Sequence, residues 1–174
     1  MRNHDLLLLA RYNQHMNHSL INATSTLPLS AIREDKGAFF SSILGSFNHI
    51  LVGDTIWLNR FRHTYDPQNK LAVLDQLPLP KGLNDLIFDD WDDFKTARAA
   101  VDDAILDWVP SLTDEMLGAH LSYKNTKGIS ADKAFYPLLQ HFFNHQTHHR
   151  GQITTLLNQS GVESGVTDLL VLID

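Results

Sequence analysis

Apolar residues recur along this chain at helical rather than strand spacing, in four long stretches. In the first, Leu8, Leu9, Tyr12, Met16, Leu20 and Ala23 share one side, Asn3 or Asp5 stands where a cap is wanted, and Pro28 closes the run; this predicts a helix to about Thr26. His15 and His18, in its second half, read as solvated positions. Residues 29–36 form a connection, and a second helix over roughly 37–62 sets Phe40, Ile43, Leu44, Phe47, Leu51, Asp54 and Leu58 on one face. Residues 63–88, broken by Pro67, Pro78, Pro80 and Gly82, predict a loop-rich crossover of the kind that can wall a site, with His63 exposed at its start. Asp89 or Asp90 caps a third helix with the stripe Phe94, Ala97, Val101, Ala104, Ile105 and Trp108, ended by Pro110. Asp92, Asp93, Asp102, Asp103 and Asp107 fall mostly on its other side and read as a solvated face rather than an acid/base pair. Leu121 and Tyr123 alternate with polar residues ahead of the turn N-T-K-G, which predicts a short hairpin. The last helix runs from about Asp132 to Gln159, with Pro137 in its first turns and Gly161 beyond its end. The apolar tail V-T-D-L-L-V-L-I-D is expected to pack back on the bundle.

Four long amphipathic helices predict an all-α four-helix bundle, a single domain over 1–174, with a long crossover connection and a short β-hairpin before the last helix. The crossover argues against a simple up-down-up-down order. A net charge of −6, with no Lys/Arg cluster, argues against nucleic-acid binding. There are no cysteines, so disulfides, a Cys nucleophile and Cys-ligated zinc are excluded, which suits a cytoplasmic protein. The Leu6–Leu9 run is too short for a signal-peptide core and no run approaches membrane-spanning length.

Candidate chemistry concentrates in H-F-F-N-H-Q-T-H-H-R-G-Q, His141 to Gln152. His141, His145 and His149 repeat every four residues, the spacing at which helical side chains stack on one face. At about 100° per residue, His145 and His149 lie about 40° apart and share their side with Leu138, Phe142, Ile153 and Leu156. The pair therefore faces the core, with His141 at the edge of the stripe and His148 on the flank. A core-facing pair of imidazoles needs partners, and one metal ion satisfies both. A third ligand must come from elsewhere. His49 is one candidate: it lies nearly opposite Phe47, among Ser42, Gly45, Ser46, Gly53 and Ile56. Those small residues leave either room around a metal or a seam for close helix packing, and helical angle alone does not separate the two. His120 is a poor ligand candidate.

The run S-F-N-H-I-L-V-G-D-T-I-W-L, with His49, Asp54 and Trp57, and the run H-F-F-N-H-Q-T-H-H-R-G-Q-I resemble the DinB-like (DNA-damage-inducible, YfiT-type) metal-binding four-helix-bundle superfamily over nearly the whole chain. The resemblance implies a metal site of His49, His145 and His149 with an open coordination position. It implies zinc or nickel, with iron also suited to such ligands, and a homodimer. It further implies a low-molecular-weight thiol cosubstrate such as mycothiol, bacillithiol or a glutathione-like compound, used in transfer to an electrophile. Asp54, Asn144, His148 and Gln152 are candidates to orient the ligands. Asp54, five residues past His49, projects away from it, and Arg150 is expected to play a structural role beside a carboxylate. Two competing readings use the same site: a stress-related metal-binding dimer without turnover, and a metal-dependent hydrolase.

Overall fold

The computed structural model describes residues 2–173. Its four long helices are α1 (Arg2–Thr24), α3 (Ile43–Tyr65), α4 (Trp91–Trp108) and α6 (Phe135–Gln159). Between them lie two short helices, α2 (Leu29–Arg33) and α5 (Asp114–Gly118), and a two-stranded antiparallel hairpin of β1 (His120–Lys124) and β2 (Ser130–Ala134). The close packings are α3 with α6, α1 with α4, α1 with α6, and α3 with α4. Helices consecutive along the chain, α1 with α3 and α4 with α6, are thus not the close partners, and the bundle departs from up-down-up-down order as the long crossover predicts.

The element boundaries differ from the sequence expectation where local chemistry competes. Asn3 does not cap α1; it lies within the helix, and its amide donates to the Leu112 carbonyl at 2.6 Å. The buried side of α1 is Leu6, Ala10, Asn13, Met16, Asn17 and Leu20, while Leu8, Leu9 and Ala23 are half-buried. Polar asparagines on the core face hid that stripe. The second long helix starts at Ile43, not 37, because Ser42 caps it by accepting from Gly45 N, and it continues to Tyr65. Phe40 sits before it, in a tight turn with Ser41 at φ 63°. Asp132 belongs to β2, where it pairs with Ser122, and α6 begins only at Phe135. As predicted, Asp90 caps α4, accepting from Asp92 N and Asp93 N. The tail reaches α1, where Tyr12 donates to the Thr167 carbonyl at 2.6 Å, but Leu170 remains exposed.

From Ser46 to Thr55 every residue of α3 is buried. A helix buried all round is a core element, and α3 is packed by α4, α6, α2 and the hairpin. One α3 residue is a carboxylate, Asp54, wholly buried. It takes Arg98 of α4 at 2.5 Å and the Gln146 amide of α6 at 2.6 Å. Arg98 also holds Asp102 at 2.8 Å, and Asp102 accepts from Asn13 and Asn17 of α1 at 3.1 and 3.0 Å. Asp102 is therefore not on the solvated face with its neighbours: i,i+4 pairing with Arg98 and two asparagine amides bring it into the core. Arg150 closes the set by donating to Asn13 and stacking over Tyr12. Its structural role is as expected, but its direct partner is an amide rather than a carboxylate. Two anions and two cations balance in the bundle centre, and every long helix contributes.

Removing one member of such a buried pair leaves the other charge unmatched, at a cost of about 3–5 kcal/mol. Asp54→Ala is expected to lower unfolding free energy by about that amount in urea titration; a loss below about 1 kcal/mol would show that the network does not hold the helices together.

Candidate metal centre

The residues next to that network form the site. On α3, Gly53 precedes Asp54; on α6, His145 precedes Gln146. The Asp54–Gln146 bond therefore aligns Gly53 with His145 at the same level of the seam. The fit is close: a Cβ at Gly53 would stand 2.8 Å from His145 Cε1. Only glycine admits this imidazole against the backbone of α3. One turn earlier on α3 stands His49, and one turn later on α6 stands His149.

Three imidazoles converge here. The ring centroids of His49 and His145 are 5.2 Å apart, those of His49 and His149 4.3 Å, and those of His145 and His149 4.4 Å. Each offers one ring nitrogen to a common point, all within 4.8 Å of one another. The two nitrogens of His49 and His149 that face each other are both Nε2, 3.1 Å apart. Their other nitrogens have acceptor partners. His49 Nδ1–H donates to the Leu83 carbonyl at 2.8 Å, and His149 Nδ1–H to Gln152 Oε1 at 2.8 Å. With the proton held on Nδ1, each Nε2 presents a lone pair. In that tautomer the two Nε2 atoms face each other as acceptors, an arrangement that a shared cation satisfies. Tetrahedral ligands at about 2.0–2.1 Å from zinc sit about 3.3 Å apart, close to the observed spacing. The donor set fits a divalent transition metal.

The electrostatics agree. Burial, then the neighbouring imidazoles, lower the His145 pKa to about 3. Burial also lowers His49 and His149, against the opposing effect of their hydrogen bonds. The rings are neutral at neutral pH, the form that ligates.

The surroundings enclose this cluster. Phe40 stacks on His49 with centroids 3.8 Å apart and meets His149 edge-on. It can do so because Gly45, in the first turn of α3, lets the Phe40 carbonyl approach; a Cβ there would lie 2.1 Å from that oxygen. The small residues around His49 therefore serve close approach at both glycines. The crossover, tied to α3 by paired bonds between Asn48 and the Phe88 backbone, delivers the Leu83 carbonyl. On the other side of His145 opens a cavity of about 250 Å³ that reaches Trp57, Arg60 and Tyr123.

Of the residues proposed to orient the ligands, Gln152 does so directly. Asp54 points away into the network, and Asn144 is exposed. His148 is exposed, with its ring 4.8 Å from that of His149. His141 is exposed and borders the cavity, 6.1 Å from the His145 ring. His15, His18 and His63 are exposed, and His120 pairs with Asp132 across the hairpin. Phe40, Leu83 and Gln146 are the participants that sequence reasoning missed. For Gln146 there was a faint signal, a polar residue between two core-facing histidines.

The DinB family model matches residues 1–174. The chain belongs to the DinB family. One curated relative, "Protein DinB" of Bacillus subtilis (strain 168), is 24% identical over 160 residues, covering 92% of this chain and 88% of its own. No solved structure matches the chain. Among the described residues, no helix is long and apolar enough to cross a membrane.

The lowered His145 value fixes a sign for acid sensitivity. Unfolded, this ring takes a proton as pH falls through 6.5; folded, it stays neutral until about 3. Metal-free protein therefore loses stability from this residue as pH drops between those values, and none above them. His145→Gln is expected to show a smaller fall in melting temperature from neutral pH to pH 5 than the parent; an equal fall would contradict the shift.

Proposed function

We propose that this DinB-family protein holds one divalent metal, zinc or nickel, through His49, His145 and His149, and uses it to transfer a low-molecular-weight thiol to an electrophile. The observation that carries the reading is the pair of Nε2 atoms of His49 and His149 facing at 3.1 Å, with the His145 imidazole beside them. A divalent ion with three imidazole ligands and an open position acidifies a bound thiol and so makes the reactive thiolate available at neutral pH. The chain's own groups prepare for this. Leu83 and Gln152 hold the tautomers, Gly53 admits His145, and Phe40 covers His49 from solvent.

In the proposed reaction the thiol loses its proton to solvent. Its sulfur bonds the electrophilic carbon, and the leaving group departs with the bonding electron pair. The protein has no cysteine, so the sulfur belongs to a cosubstrate such as mycothiol, bacillithiol or a glutathione-like thiol. Among the described residues no carboxylate borders the cavity to serve as general base for hydrolysis, and His141 is the imidazole at its edge outside the triad. A homodimer is part of this proposal, suggested by family membership.

Elemental analysis of untagged, as-purified protein is expected to give about one equivalent of metal, lost in His145→Ala/His149→Ala, together with metal-dependent conjugation of a thiol to an aryl halide. Absence of metal from the parent even after dialysis against zinc would overturn the reading. Gly53→Ala supplies a finer check. Its Cβ must push the His145 ring away, so metal affinity is expected to fall at least about tenfold while folding stability changes by less than about 1 kcal/mol; unchanged affinity would contradict the close approach as the determinant.

A further inference from the structure

One cation in the cavity beside the histidines has no protein anion to serve. Arg60 lies on the face of α3 that carries His49 and Gly53, and its guanidinium carbon sits 4.6 Å over the Trp57 ring and 4.9 Å over the Tyr123 ring. Several other cations of this chain find carboxylates, Arg33 with Asp89, Arg62 with Asp75, Lys70 with Asp107, and Arg98 with Asp54 and Asp102. Among the described residues Arg60 has no ion pair and donates no side-chain hydrogen bond. It is half-buried, and burial pulls it below its ordinary value. The Trp57 and Tyr123 rings touch each other, centroids 5.3 Å apart at 62°, and Arg60 packs against both from the cavity side, where a guanidinium without an anion suits a two-point grip on a carboxylate. Among the described residues no second Lys or Arg borders the cavity, which disfavours a phosphate dianion.

We propose that Arg60, packed against the Trp57–Tyr123 ring pair, binds a carboxylate on the thiol cosubstrate, so that this protein selects thiols bearing an acid group remote from sulfur. The proposal rests on the thiol-transfer reading for the position of the sulfur. The helix supplies a ruler. Arg60 stands seven residues beyond Gly53, where His145 is seated, a rise of about 10 Å. Helical side chains lean toward the N-terminus, and Arg60 does so, over Trp57 three residues earlier. The carboxylate and sulfur are therefore separated by somewhat less than that rise, roughly the length of a six-carbon chain. Trp57 and Tyr123 supply apolar walls for the intervening segment. Arg60 is a specificity residue: it touches the ligand and takes no part in the bond exchange.

The test is calorimetric titration of zinc-loaded protein with ω-mercaptohexanoate and with ω-mercaptohexanol, which differ only in the charged end. The parent is expected to bind the acid at least about tenfold more tightly than the alcohol, the scale of one charge-assisted hydrogen bond. Arg60→Gln is expected to bind both alike, with zinc content and melting temperature unchanged, and Arg60→Lys to recover part of the preference. Equal affinities in the parent, or a preference that survives Arg60→Gln, overturn the proposal. Hexanoate and hexanol, titrated into metal-free protein, separate this outcome from failure of the metal reading: a preference for hexanoate that needs Arg60 upholds the carboxylate site even where zinc does not bind, and its absence in the parent overturns it.

Discussion

The buried carboxylate of Asp54 sets the arrangement of the bundle. It lies in the part of α3, from Ser46 to Thr55, that is buried throughout, and its oxygens are taken by Arg98 of α4 and Gln146 of α6. Burial pushes the Asp54 and Asp102 carboxyls up, and Arg98 opposes this in both. Arg98 passes the constraint to Asp102, and Asp102 to the asparagines of α1. An apolar seam tolerates a helix sliding or turning by a fraction of a residue. A charge network with fixed partners does not, since each misalignment leaves a buried charge unmatched.

That constraint passes to the metal centre through adjacent residues. Fixing Asp54 opposite Gln146 fixes Gly53 opposite His145, and the turns on either side then bring His49 and His149 to the same point. The three rings are positioned by the protein itself as a group that could hold a metal: burial keeps them neutral, and acceptors stand at the Nδ1 atoms of His49 and His149. Such preorganisation reduces what binding must spend on ordering side chains. The network supports the three histidines without adding a ligand atom of its own.

Much of this was legible in the sequence, because helical periodicity is a local property. The long helices, the crossover, the hairpin and the core-facing pair His145 and His149 all follow from spacing and punctuation. His49 did not follow from angle alone. Its place beside the pair depends on which faces of α3 and α6 meet, and that is set by Asp54, Arg98 and Gln146 across three helices. The same cause misplaced Asp102: beside Asp103 and Asp107 it looks like one more surface acid, and only asparagines ninety residues away or so draw it inward. The glycines illustrate the limit well. Both signalled close approach, but nothing local says that a carbonyl meets one and an imidazole the other.

The central claim is that three imidazoles hold one ion and leave a position open. X-ray absorption at the metal edge of protein carrying one equivalent of zinc tests it most directly. Scattering is expected from three imidazole rings with nitrogens at about 2.0–2.1 Å and from a lone light atom completing four-coordination. A shell with two imidazoles or fewer, or one filled entirely by protein ligands, would contradict it.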